Sequence, residues 1–167
     1  PVVYNNVIYI TGIKQDTMDV LSSYDLKGKL IWETEYGHIW NGTYPDTRST
    51  PTIENNRIYL VSGMGEIVCL NLKDGKIIWS KNPFKDFKGK SRAWGIAESV
   101  LLTAKNAVSV IGGDETTVVA YNKTDGSFAW KTKSVGGTRS YSSPIIIERG
   151  EQKMILAQAS EYLMGIN

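Results

Sequence analysis

Arginine recurs at one kind of place in this chain. It stands shortly before a strand-like run in DTRSTP (Arg48), in KSRAWGIAES (Arg92) and in GTRSYSSP (Arg139). Aromatic residues collect in the same stretches: Tyr36, Trp40 and Tyr44 with His38 in the first, Phe84, Phe87 and Trp94 in the second, Tyr141 in the third. A guanidinium offers a rigid fork of donors, and an aromatic ring offers contact area at low entropic cost. On long loops held by a rigid scaffold, both suit recognition better than bond-making. The candidate binding face is therefore His38, Trp40, Arg48, Arg92, Trp94, Arg139 and Tyr141. A competing reading has each arginine brace its own loop, bonding loop carbonyls or pairing with Asp46 or Glu98.

Catalytic chemistry finds little to work with. His38 is the sole histidine, so a histidine-rich metal site cannot be built. Cys69 is the sole cysteine, which excludes disulfides and cysteine-ligated zinc clusters within the chain. Asp16 and Asp19 read as one ordinary solvated turn, Asp114 and Glu115 as another. No catalytic and no metal-ligating residue is assigned. A net charge of +2, with acids and bases interspersed, gives no electrostatic case for nucleic acid or an anionic membrane. The longest apolar runs are strand-sized, so no transmembrane helix is expected.

The elements that must position these residues are repeats. CLNLKDGKIIW at 69–79 reads as a short strand, a turn at Lys73-Asp74-Gly75, and a second strand ending in tryptophan. AYNKTDGSFAW at 120–130 and SYDLKGKLIW at 23–32 are near copies, the latter one residue shorter in the turn. Trp32, Trp79 and Trp130 are thus spaced by 47 and 51 residues, a period that signals stacked or radial repeats. Four β-rich runs make up each unit: 2–4, 7–11, 20–24 and 30–33; then 50–54, 57–62, 66–72 and 76–80; then 99–103, 107–111, 117–122 and 127–131. A last unit has three runs, 143–148, 153–158 and 162–166. No window shows helical periodicity, so the fold class expected is all-β.

Antiparallel meanders of four strands repeated at this period predict a β-propeller, with blades at about 1–33, 50–80 and 99–131 and an incomplete blade at about 143–167. Trp32, Trp79 and Trp130 are expected to fill the seams between blades, and Gly28, Gly75 and Gly126 to serve turns needing positive φ. MGIN at 164–167 parallels VCLN at 68–71, and the chain opens directly on a strand-like run at Pro1. The expectation is a segment of a longer protein, a partial propeller whose further blades lie outside this sequence. In a meander of four, the inter-blade connectors, roughly 34–49, 81–98 and 132–142, share one end with the turns between second and third strands. The arginines and aromatics collect in those connectors.

The repeat Ala-x-Asp/Asn-x-x-x-Gly-Lys-x-x-Trp resembles the tryptophan-docking repeat of PQQ-like, or quinoprotein alcohol dehydrogenase-like, β-propellers, a family that includes the BamB-like outer-membrane assembly propellers. Residues 69–79 carry it with Cys69 in the alanine place, and residues 120–130 carry it with Ser127 where lysine is usual. The resemblance implies an exported bacterial protein, periplasmic and in some members anchored at the outer membrane. It implies either of two functions. One is a non-catalytic scaffold that binds a protein or carbohydrate partner and needs no cofactor. The other is part of a dehydrogenase that oxidises alcohols or sugars with PQQ and calcium. Many alcohol-oxidising members carry adjacent cysteines beside the quinone, and this chain has none. The scaffold is the favoured expectation.

Overall fold

The computed structural model describes residues 1–91 and 93–167. Among the described residues, fifteen strands form four antiparallel sheets in chain order. The first holds β1 (Val2–Tyr4), β2 (Val7–Lys14), β3 (Met18–Asp25) and β4 (Leu30–His38). The second holds β5 (Thr52–Glu54), β6 (Arg57–Val61), β7 (Ile67–Asn71) and β8 (Ile77–Lys81). The third holds β9 (Leu101–Leu102), β10 (Asn106–Val110), β11 (Val118–Asn122) and β12 (Phe128–Lys131). The fourth has three strands, β13 (Ile145–Arg149), β14 (Gln152–Ala159) and β15 (Tyr162–Ile166). Every sheet is a simple meander, each strand paired with its sequence neighbour. This is the partial β-propeller that the repeat predicts.

Turn chemistry explains the meander. Asn5-Asn6 and Asn55-Asn56 link first to second strands with all four φ angles positive, between 48° and 61°. Asparagine tolerates that region, and two such residues in succession make the type I′ hairpin turn. Third strands pass to fourth through the glycine turns. Gly75 and Gly126 sit at φ 69° and 71°, each donating its N–H to the carbonyl four residues back (Asn71 and Asn122) at 2.9 Å. The side chains of the same two asparagines accept from the backbone N–H of Lys73 and Thr124.

Alternation along the inner strands builds three seams. Ile58, Leu60, Val68 and Leu70 face the first sheet and meet Tyr9, Leu21 and Tyr36. Tyr59, Val61, Ile67 and Cys69 face the third sheet and meet Ala107, Val119 and Tyr121. Val108, Val110, Val118 and Ala120 face the fourth sheet and meet Ile155 and Ala157. Strands β7 and β11 are buried on both faces because each lies between two neighbouring sheets, hence their unbroken apolar character.

The tryptophans close these seams. Trp32 lies over Gly75 so closely that a Cβ there would sit 2.4 Å from the ring, and Trp79 lies over Gly126 so closely that a Cβ there would sit 2.7 Å from its ring. Trp130 packs against the third-seam cluster, which holds Ile155 and Ala157 of the fourth sheet. Each ring thus docks on the sheet that follows its own.

Two readings from the sequence need correction here. The strands of the first sheet are longer than the apolar runs. β2 reaches Lys14, β3 starts at Met18 and β4 continues to His38. A bulge opposite Asp19/Val20 makes Tyr36 the extra residue of β4, and Tyr36 becomes a buried strand residue instead of a connector aromatic. The second connector also contains one helical turn, α1 (Pro83–Asp86), capped by the Asn82 side chain, which accepts from Lys85 N–H at 2.9 Å. Four residues are too few to show a helical period.

Candidate binding face

The connectors and the turns between second and third strands come together at one end of the sheets. Met64 N–H donates to the His38 carbonyl and Ile39 N–H to the Thr17 carbonyl, both at 3.2 Å. Lys90 of the second connector bridges the other side: its N–H donates to Ile111 and its carbonyl accepts from Arg139 N–H, at 3.1 Å each. Thr43 of the first connector reaches the Ala93 carbonyl of the second at 3.2 Å. Further in, side-chain hydroxyls lace the inner strands together. Ser49 donates to the Glu98 carbonyl, while Thr50 and Ser99 donate their backbone N–H groups to the hydroxyls of Ser99 and Ser143.

On this face an aromatic pair is exposed. Trp94 and Tyr141 stack with centroids 5.9 Å apart and planes 26° from parallel, and Trp94 keeps 56% of its surface open. Tyr44, held at a positive φ of 51°, is more exposed still. Trp40 is half-buried and packs its indole against Gly42 and Gly95, which fixes the first connector against the second. His38 ends β4 and is exposed.

The arginines behave differently from the rings. Arg48 donates to the Asp46 carbonyl at 3.1 Å and also to the Tyr44 carbonyl, so its guanidinium braces its own loop. Arg139 is 1% exposed and paired with Glu98, also 1% exposed, through contacts of 3.0 and 2.7 Å, with the Phe84 ring 5.3 Å from the guanidinium carbon. The reading of Arg139 as a group presented to a partner is therefore corrected. Its conformation is fixed by a buried carboxylate, and it shapes the face from beneath. Burial pushes the Glu98 carboxyl up, against the pull of the Arg139 charge. Arg92 lies outside the described residues.

Asp19 is a second correction. Asp16 is exposed in the turn, but Asp19 is wholly buried in β3, where it accepts from Gly63 N–H of the neighbouring sheet at 2.6 Å. Burial pushes its carboxyl up to about 6, although the Gly63 bond opposes the shift. Sequence offered one signal for this: Asp19 lies two places before the apolar Leu21, hence on the same face of a strand.

Among the described residues, no three His, Cys, Asp or Glu side chains group so as to hold a metal ion. The one thiol, Cys69, is buried in the second seam. A quinone site needing a calcium carboxylate set or adjacent cysteines does not fit these residues.

The fold and the docked tryptophans define a PQQ-like repeat propeller. Residues 17–167 match the family described as Outer membrane protein assembly factor BamB, and the chain belongs to that family. The relative of that name from Salmonella typhimurium is 31% identical over 120 residues, covering 70% of this chain and 28% of its own length. The chain therefore spans little more than a quarter of that relative. The crystal structure of BamB from Moraxella catarrhalis superposes with a TM-score of 0.60 at 18% identity, covering 96% of this chain and 42% of that one. A quinohemoprotein alcohol dehydrogenase from Pseudomonas putida superposes with a TM-score of 0.63 at 17% identity, over 94% of this chain and 28% of that one. At these identities the two superpositions speak to the fold alone. Among the described residues, no helix is long and apolar enough to cross a membrane.

Proposed function

We propose that this chain is part of a non-catalytic, exported propeller that docks a protein partner through its connector face, in the service of outer-membrane protein assembly. The observation that carries the reading is the exposed Trp94–Tyr141 stack on rigidly laced connectors. Exposed aromatic anchors on a fixed scaffold are the residues that dominate binding energy at protein interfaces. Membership of the family described as Outer membrane protein assembly factor BamB supports the assembly role, and a periplasmic, outer-membrane-associated location goes with that role. The carboxylate and cysteine inventory gives a PQQ-dependent dehydrogenase no support.

The test is site-specific photocrosslinking in the envelope of the source bacterium, with a photoreactive residue at Trp94 and a control at exposed Leu26 on the opposite end. Adducts with a component of the outer-membrane assembly machinery at position 94 only are expected, and Tyr141→Ala should weaken them. Equal labelling at both positions, or none at Trp94, overturns the docking face. Saturable, calcium-dependent binding of PQQ would instead revive the enzyme.

A further inference from the structure

The end of the sheets away from the connectors holds a cavity of about 400 Å³ in the first seam. Val7, Tyr9 and Trp32 line it from the first sheet, and Asn71, Leu72 and Lys73 from the second. Both flanking sheets are complete meanders of four strands, so the cavity belongs to a finished seam.

The repeat identifies what occupies the same place one seam on. Tyr9 pairs with Ser23 as Tyr59 pairs with Cys69, so Val7 and Arg57, two residues earlier and each directly after an Asn-Asn turn, are equivalent. Trp32 and Trp79 are equivalent by their docking, at 5.9 and 6.1 Å from the equivalent tyrosines. Leu72-Lys73 corresponds to Lys123-Thr124, and the two turns share their backbone bonds. Leu72 N–H donates to Asn56 and Lys123 N–H to Lys105, both at 2.9 Å, and the Gly75 and Gly126 bonds match. The carbonyls of the two turns therefore point the same way. In the second seam, Arg57 donates to the Lys123 and Thr124 carbonyls at 2.7 Å each. In the first, Val7 stops short, and no group among the described residues donates to the Leu72 or Lys73 carbonyl.

We infer that the first-seam cavity is a receptor for a guanidinium side chain, an arginine presented by a partner polypeptide. Its planar fork would take the Leu72 and Lys73 carbonyls as Arg57 takes those of Lys123 and Thr124, and its alkyl stem would lie against Tyr9 and Trp32. The cation pair that crowds the second seam is absent: Leu72 replaces Lys123, and the Lys73 side chain is exposed at the rim. The inference does not rest on the connector-face reading, because the cavity opens at the opposite end of the sheets.

The test is a titration of the ¹⁵N-labelled protein with N-acetyl-L-argininamide, N-acetyl-L-norleucinamide and the N-acetyl amide of L-glutamate. Argininamide should bind roughly tenfold more tightly than either, with a millimolar dissociation constant suited to one small side chain. Shifts should centre on the Leu72 and Lys73 amides and the Trp32 indole. Val7→Arg should abolish them by supplying the guanidinium from within, and Val7→Met, which fills the stem without a donor, should weaken them. Equal binding of norleucinamide makes the cavity a plain apolar hole and overturns the inference. So do preference for the glutamate probe, absence of shifts at Leu72 and Lys73, and argininamide binding that survives Val7→Arg.

Discussion

The first and second seams use one plan with different completeness. Both dock a tryptophan on the glycine of the next turn, and both set a tyrosine about 6 Å from it. In the second seam three donors converge on the Lys123 carbonyl: the Trp79 indole at 3.0 Å, Arg57 at 2.7 Å and the Tyr59 hydroxyl at 3.3 Å. Glu54 then pairs with the Lys123 ammonium. In the first seam Tyr4 stands in the place of Glu54, Val7 in that of Arg57 and Leu72 in that of Lys123, and a cavity remains. The difference teaches that the repeat needs only the ring and the glycine to close a seam. The polar clamp is an addition that one seam has and the other lacks.

The largest expected effect compares the two rings. Trp79 is 6% exposed and bonded, and Trp79→Ala should cost about 3–5 kcal/mol. Trp32 is half-buried beside a cavity, so Trp32→Ala should cost about 2 kcal/mol. Urea unfolding of both variants measures the gap. Equal losses would mean that the clamp adds nothing to the dock.

A charge separates the seams next. Asp19 spans the first seam to Gly63 with its carboxyl raised from 3.8 to about 6. The folded state then holds the proton more tightly than the unfolded one. Stability from this group is therefore greatest at low pH and falls by about 3 kcal/mol as pH rises through about 6. Asp19→Asn, which keeps an acceptor for Gly63 N–H without the charge, should flatten the dependence of the unfolding midpoint on pH between roughly 4 and 6. An unchanged slope would show that the buried acid is not the group that titrates.

What the sequence made legible follows from the same comparison. The tryptophan–glycine spacing, the Asn-Asn turns and the apolar alternation are local and repeated, so strand order and docking could be read from three copies. Side-chain partners across connectors are not local. Arg139 and Glu98 lie 41 residues apart; the sequence offered Glu98 beside Asp46 as a bracing partner without assigning it to one arginine, and the packed connectors give it to Arg139. Asp19 looked like turn material because aspartate favours turns, yet β3 pairs with β2 in unbroken register past it, with Ile13 opposite Asp19 and Lys14 opposite Met18. The first-seam cavity was in principle visible as Val7 where Arg57 stands in the next repeat. Its meaning depends on carbonyls whose direction only the turn geometry fixes.

The smallest expected effects probe whether an acceptor shared by several donors is buffered. Thr34 donates to the Gly75 carbonyl at 2.9 Å and is the one side chain, among the described residues, that bonds this turn from the first sheet. Thr34→Val keeps the shape and removes that donor, so a partly buried carbonyl loses its side-chain partner, at a cost of about 1 kcal/mol. Tyr59→Phe removes the longest of three bonds to Lys123, whose carbonyl keeps Trp79 and Arg57. A carbonyl has two lone pairs, already served by the remaining donors, so this loss should be about 0.5 kcal/mol or less. Differential scanning of the two variants under one condition reads the order directly. If Tyr59→Phe proves the costlier change, the three donors act as one cooperative cluster, and the second seam is held by its network more than by its ring.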